Sequence, residues 1–188
     1  MASVVSFGIL ALGAALLAVM AVGAAFNRLV RQRNLVREAW SGIDVQLRMR
    51  YDLVPLLVEI VKGYRDHERL LFEQVAAART RCIGSVSLPE KGAAEGALTR
   101  GIRSLFAVAE AYPDLKASRS FLDLQKNLTE VEDRIQHARR YYNGTVRDYN
   151  IRVESFPGMA VARVAGFRRA EYFEIELATQ RDAPEAKF

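Results

Sequence analysis

The sequence contains little cysteine and little proline, and each of these low counts excludes or disfavours a class of structure. A single cysteine, Cys82, among 188 residues excludes a disulfide within the chain. Five prolines and twelve glycines, beside plentiful leucine, alanine, arginine and glutamate, are typical of helices and not of sheets. No segment shows the sustained apolar–polar alternation of a strand between turn signals. The composition therefore predicts an all-α protein.

Charge is missing from the whole N-terminal stretch. Every residue from Met1 to Asn27 is uncharged, and Val4–Phe26 holds 23 consecutive uncharged residues. As a helix this segment would reach roughly 35 Å, which is enough to cross a hydrocarbon core of about 30 Å. A cleaved signal peptide is the alternative, and the Ala24–Ala25 pair suits cleavage, but the basic start and short apolar core of such a peptide are lacking. We therefore expect residues 1–27 to form a transmembrane anchor.

A basic cluster follows this apolar segment. Its members are Arg28, Arg31, Arg33 and Arg37, and no acidic residue occurs among them before Glu38. Positive charge marks the cytoplasmic flank of a membrane helix, so we expect the C-terminal domain in the cytoplasm and the N-terminus outside. Near anionic lipid head groups each arginine would contribute ~1 kcal/mol. We call these four residues the membrane-face basic cluster.

An apolar stripe with steps of three and four residues follows and is interrupted only by Arg50 and Glu68. It consists of Val36, Trp40, Ile43, Leu47, Val54, Leu57, Val61, Tyr64, Leu71, Val75, Ala78 and Cys82. Pro55 lies within it, removes a backbone donor and disfavours helical geometry at Val54. Two outcomes are open: a kink in one very long helix, or a break between two antiparallel helices at Tyr51–Val54.

The remaining chain predicts further helices. Ser87 with Pro89 and Glu90 is a typical helix start after a turn at residues 84–91, and that helix should end at Pro113. A helix of over 30 residues should begin at Ser118 or Ser120 and end near Ser155, followed by a short helix over residues 159–167. Residues 177–188 carry no stripe and are expected to be a loose tail. The predicted architecture for residues 28–176 is an antiparallel, up-and-down-type bundle of three long or four helices.

The sequence offers little chemistry. His67 precedes Glu68 without the second histidine of a zinc helix, and a metal site needs three or four converging ligands. Cys82 lies on the apolar stripe and is expected to be a buried structural thiol. We expect no catalytic residue, no metal site and no cofactor. A hydrolase that uses Asp44, His67 or Asp148 is the alternative from another functional class.

Two glycine-containing stretches are unusual. Gly144 lies in mid-helix, where glycine costs about 1 kcal/mol against alanine, so we expect close backbone approach there; Gly42, beside the only tryptophan, suggests tight packing in the same way. Asn143, Arg147 and Asn150 share a polar face of the last long helix. This face is either ordinary solvated surface or a face that binds a partner, and we name it the candidate partner face.

Three runs closely resemble the LemA family of bacterial membrane proteins. They are Arg33–Leu47, then Arg50–Pro55 leading to Val61–Tyr64, and finally Tyr141–Asn150 followed by Ser155-Phe156-Pro157 and Ala170–Glu174. The resemblance implies a four-helix cytoplasmic bundle behind a single membrane helix, which favours a break at Pro55. It also implies a family without established enzymatic activity, whose relatives often accompany membrane proteases of the HtpX type and include a protein of magnetosome membranes.

The predicted function is therefore a non-enzymatic scaffold or adaptor in the bacterial inner membrane, spanning it once and presenting a helical surface to other membrane proteins. The expected partners are the lipid bilayer, other membrane proteins and further copies of the chain. Regulation of an HtpX-type zinc protease is a narrower alternative. The pI of about 9.6 invites a nucleic-acid hypothesis, but the nearest arginines face the membrane, so we expect no nucleic-acid partner.

Overall fold

The computed structural model describes residues 2–63 and 68–175, with side chains from Ser6 onward. All regular structure within these residues is α-helical, which confirms the predicted fold class. Six helices follow one another there: α1 (Ala2–Lys62), α2 (Arg69–Gly84), α3 (Leu88–Glu110), α4 (Pro113–Ala117), α5 (Arg119–Glu154) and α6 (Gly158–Ala165). The predicted tail at residues 177–188 lies outside the described residues, as do Tyr64 and His67.

The described residues form two compact units. Unit 1 takes its residues from Met1–Trp40 and Tyr141–Glu171, and unit 2 takes its residues from Ser41–Arg140 and from the chain after Tyr172. The single bundle over residues 28–176 remains a prediction about domain organisation. Each unit is built on its own buried side chains.

Helix α1 runs without interruption through Pro55 for 61 residues. The break considered at Tyr51–Val54, which the family resemblance favoured, is therefore absent. Proline at position 55 cannot donate to the carbonyl of Tyr51 four residues earlier. In its place the Nε of Arg79, on α2, donates to the Tyr51 carbonyl oxygen at 2.7 Å. A side chain from another helix thus satisfies the acceptor that the proline would leave without a partner.

The ends of the other helices follow local chemistry closely. Ser87 caps α3 in a capping box, where its hydroxyl accepts from the Glu90 backbone N–H and the Glu90 carboxylate accepts from the Ser87 N–H, both at 3.4 Å. This confirms the predicted start. The turn expected at Pro113 contains the short helix α4 instead, because proline at a first helical position is preorganised for a helix. Helix α5 ends at Glu154 and helix α6 begins at Gly158, each within one residue of the position that the sequence predicts.

From Ile43 onward, the stripe predicted from the sequence contributes to the interior of unit 2. Its most completely buried members include Ile43, Leu47, Leu57, Val61 and Cys82, each 0% exposed. Leu98 and Leu105 of α3 and Ile135 of α5 are buried equally. Leu71 of the predicted stripe is half-buried, whereas its neighbour Phe72 is 4% exposed. Three- and four-residue spacing therefore identifies most of the core face, with local errors.

The two glycine predictions are wrong. A Cβ placed on Gly144 or on Gly42 would meet none of the described atoms within 4 Å outside its own helix backbone. Close approach occurs instead at Gly92 in unit 2 and at Gly158 in unit 1, where a Cβ would collide with the backbone carbonyl oxygens of Glu174 and Arg152. A Cβ on Gly101 would collide with the side chain of Val75. The mid-helix penalty does not reveal which glycines permit such contacts.

Candidate functional site

The N-terminal part of α1 is apolar and uncovered. Residues 6–24 are all exposed; the side chains of Phe7 and Leu12, for example, are 75% and 74% exposed. Within the described residues, one helix contains a segment long and apolar enough to cross a membrane, and it is this one. A core helix of a soluble protein would bury these side chains, so their exposure suits a surrounding of lipid.

The membrane-face basic cluster lies on the surface of the protein. Arg28, Arg31, Arg33 and Arg37 are all exposed. On the same helix Ala25 and Leu29 are buried, so the arginines flank the face of α1 that packs in unit 1. The guanidinium of Arg33 lies 4.9 Å from the centre of the Phe167 ring, in a cation–π contact. One arginine of the cluster, Arg33, therefore also contacts the chain that follows α6, through Phe167.

Two tyrosines of α5 hold the chain that follows α6. The Tyr142 hydroxyl donates to the carbonyl oxygen of Glu171, and the Tyr149 hydroxyl donates to that of Arg168, each at 2.9 Å. Burial raises the pKa of both phenols above the ordinary value of 10.0. The carboxylate of Glu171 raises that of Tyr142 further, whereas Arg33 and Arg37 partly offset the shift at Tyr149. Both groups thus remain protonated donors at neutral pH.

Asn150 completes this attachment. Its Nδ2 donates to the Ala170 carbonyl oxygen at 3.0 Å, and its Oδ1 accepts from the Ala170 N–H at 2.8 Å. The side chain is 4% exposed. Tyr142, Tyr149 and Asn150 together form what we call the C-terminal clamp, which holds residues 168–171 along α5. The amide of Asn150 is therefore used within the chain.

The structure places the rest of the candidate partner face on α5 in unit 1. Asn143 is half-buried and Arg147 is exposed, and the guanidinium of Arg147 pairs with Asp148 at 3.2 Å. Tyr142, on the neighbouring face, stacks edge-on against Trp40 with ring centres 5.5 Å apart. Partner binding at Asn143 and Arg147 remains a prediction.

An open cleft of about 430 Å³ lies where α5 ends and α6 begins. All of its walls belong to unit 1. Ala25, Arg28 and Leu29 contribute from α1, and Ile151 and Arg152 contribute from α5. The turn at residues 155–158 closes one side. Periodicity did not reveal this cleft, because the residues that form it are distant in sequence.

Unit 2 contains a buried ionic cluster that the sequence interpretation missed. The guanidinium of Arg50, 1% exposed, contacts three side chains: the carboxylate of Glu95, the Glu132 Oε2 at 2.8 Å and the Thr99 Oγ1 at 3.2 Å. The Tyr51 hydroxyl donates to the second oxygen of Glu95, which is 0% exposed. The sequence did contain a signal for this cluster. Arg50 lies on the apolar stripe of α1, and Glu95 lies beside the apolar stripe of α3. Buried charges require a partner of opposite sign, so these two residues were candidates for a buried ion pair.

The cluster can fix the register of α1, α3 and α5, since a buried charge demands its partner. Arg50 and Glu95 are 1% and 0% exposed, whereas the Glu132 side chain is 32% exposed. Burial also raises the pKa of the Cys82 thiol above 9.0, which makes it a poor nucleophile. Asp44 and Asp148 form ion pairs with neighbouring arginines on their own helices. Within residues 6–63 and 68–175, no three His, Cys, Asp or Glu side chains converge as a metal site requires.

These features define an all-helical protein with one helix of membrane-spanning length. A model of the LemA family matches residues 39–188, which include the buried cluster and the C-terminal clamp. The chain belongs to the LemA family, as its resemblance to that family predicted.

The chain is similar to curated proteins of two kinds. It is 36% identical over 175 residues to the magnetosome protein MamQ 2 of Paramagnetospirillum magneticum, an alignment that covers 79% of this chain and 64% of that protein. It is 25% identical over 163 residues to the protein LemA of Metamycoplasma hominis, covering 81% of this chain and 73% of that protein. The chain thus spans less than two thirds of the length of the magnetosome relative.

Proposed function

We propose that this protein is a non-enzymatic adaptor that spans the bacterial inner membrane once and presents its helical surface to other membrane proteins. The observation that carries the proposal is the continuity of α1: the exposed apolar segment and the buried stripe of unit 2 belong to one helix of 61 residues. Such a helix serves both as an anchor and as a structural part of the domain that it carries.

Orientation is part of this proposal. The four exposed arginines at the end of the apolar segment favour the cytoplasm for the chain that follows. The buried cluster around Arg50 supports a structural role, because the Arg50 guanidinium and the Glu95 carboxylate bind each other and neighbouring side chains of the same unit. Membership of the LemA family and the similarity to a magnetosome protein support a membrane-associated protein. Self-association is included among the proposed contacts.

The partner surface is proposed to be the exposed part of the candidate partner face, centred on Arg147. The test places a photo-crosslinking amino acid at position 147 in the full-length protein in its native membrane. The matched control places it at Tyr141, which is also exposed on α5 but lies about 120° around that helix from Arg147. We expect discrete cross-linked bands from position 147 only.

Mass spectrometry of those bands would identify the partner and show whether it is a second copy of this chain. Equal labelling from both positions, or none from position 147, would count against an adaptor that uses this face. Regulation of an HtpX-type protease is the narrower candidate. It predicts that the protease itself appears in the cross-linked bands and that its substrate turnover changes when the protein is deleted.

A further inference from the structure

Helix α6 exposes apolar surface that water would not favour. Val161 and Ala162 are buried, whereas Met159 and Val164, which flank this buried face on its two sides, are 43% and 91% exposed. Phe156, in the turn just before the helix, is 84% exposed. Arg163 is the only charged residue in the helix. Exposed apolar side chains on both flanks of a short helix favour a second apolar environment around it.

This surface lies where the apolar segment of α1 ends. Phe167, one residue after the glycine that terminates α6, packs edge-on against Phe26 with ring centres 5.7 Å apart. Phe156 lines the same cleft as Ala25 and Leu29. If α1 spans the bilayer up to Phe26, the α6 region must therefore lie at the boundary between hydrocarbon and water.

The cleft adds positive charge at the same level. The guanidinium-bearing residues Arg28 and Arg152 both line it, next to the apolar side chain of Ile151. Asp148 also lines the cleft, but it pairs with Arg147, which offsets its charge. Arginines beside an apolar wall suit a phosphate group whose acyl chains continue into hydrocarbon.

We propose that Phe156, Met159 and Val164 form an interfacial surface that inserts into the head-group layer of the membrane, with an anionic phospholipid head group held between Arg28 and Arg152. The occupant is the bilayer that α1 crosses, because the same unit carries the end of the span, the apolar side chains and the basic cleft. Short apolar segments beside basic residues bind membranes in this way. The second contact holds unit 1 against the bilayer surface.

The test uses the full-length protein in vesicles of phosphatidylcholine, with or without phosphatidylglycerol. An environment-sensitive fluorophore is attached through Met159→Cys in a Cys82→Ala background. The matched control carries it through Tyr141→Cys, on α5 about 20 Å along the helix from Glu154. We expect aqueous iodide to quench the probe at position 159 several-fold less than the probe at 141, and nitroxide-labelled lipid to quench it several-fold more.

A second comparison tests the cleft. Arg28→Gln with Arg152→Gln should abolish the additional protection that phosphatidylglycerol gives at position 159, whereas the charge-matched double change Arg119→Gln with Arg134→Gln, at two exposed arginines of α5, should leave it intact. Equal lipid dependence in the double variant and the control would overturn the cleft assignment.

The outcomes also separate this inference from the proposed adaptor function on which its membrane anchor depends. Resistance to carbonate extraction reports the anchor alone. Carbonate-resistant protein whose position 159 is as accessible to iodide as position 141 would overturn the interfacial surface and leave the anchor standing. Protection in native membranes but not in pure lipid would assign the surface to a protein partner and overturn the proposal.

Discussion

At the scale of single residues, Arg50 has the largest energetic consequences. Its guanidinium lies among three side chains in the interior of unit 2, and Glu95 depends on it for charge compensation. The pair itself need not add stability, since removing two charges from water is costly. What is costly is breaking it, because either partner alone would be a buried and unpaired charge.

We expect Arg50→Met to lower the free energy of unfolding by about 3–5 kcal/mol, since it leaves Glu95 ionised without a cation. Urea unfolding of the full chain in detergent would measure this. Arg48→Met is the control, because the Arg48 side chain is 74% exposed and pairs with Asp44 only at the surface, where such a pair contributes a few tenths of a kcal/mol.

The double change Arg50→Met with Glu95→Leu should recover much of the loss, because no buried charge remains. A double variant as unstable as the sum of its single variants would show that packing, and not charge, dominates at this position.

Residue-scale prediction from sequence succeeds where neighbours along the chain decide the outcome. The Ser87–Glu90 capping box is an example, since both partners lie within one turn. It fails where a distant segment decides. Gly92 has no room for a Cβ because the chain at Glu174 returns to it. The use of Asn150 depends in the same way on Ala170, and no periodicity in α5 encodes that return.

At the scale of secondary-structure elements, Pro55 and Arg79 act on the same backbone acceptor. Pro55 cannot donate to the Tyr51 carbonyl oxygen, and the Arg79 side chain donates to it instead. Sequence analysis left a kink and a break open because proline alone permits both. The deciding partner is Arg79 on α2, 28 residues from the Tyr51 whose carbonyl oxygen it contacts, and it lies beyond the reach of any local rule. The apolar register, which continues through Pro55, was the better indicator of a continuous helix.

A double-mutant cycle tests this pair. Arg79→Met should destabilise the protein by about 1–3 kcal/mol, because the half-buried Tyr51 carbonyl loses its donor. In a Pro55→Ala background the restored N–H can donate to that carbonyl, so the same change should cost roughly 1 kcal/mol less.

Thermal unfolding by circular dichroism would supply the four values of this cycle. Arg81→Met, at an exposed position of the same helix, serves as the control and should change stability by less than about 0.5 kcal/mol. Strict additivity in the cycle would contradict the assigned role of Arg79.

At the scale of the whole molecule, buried acids make stability depend on alkaline pH. Burial raises the pKa of Cys82 above 9.0, and burial raises the pKa values of Tyr51, Tyr142 and Tyr149 above 10.0. In the unfolded chain these groups lose their protons at the ordinary values. Above those values the folded state therefore binds more protons, and stability falls as pH rises.

We expect the free energy of unfolding from urea titrations to be constant from neutral pH to about pH 9 and then to fall, with a limiting slope for each fully shifted group of about 1.4 kcal/mol per pH unit. Cys82→Ala removes the first of these groups, so its decline should begin about one pH unit later, where the tyrosines titrate. A free energy of unfolding that rises above pH 9, or an identical onset in the variant, would contradict this account.

The C-terminal clamp has a consequence for sequence drift. Tyr142, Tyr149 and Asn150 recognise residues 168–171 only through backbone atoms. The three side chains of the clamp cannot change without loss of these hydrogen bonds. The side chains of residues 168–171 take no part in them and can change. Position 170 is the exception for one residue type: its N–H donates to Asn150, so proline alone is barred there by chemistry. The attachment can thus persist while the attached sequence changes.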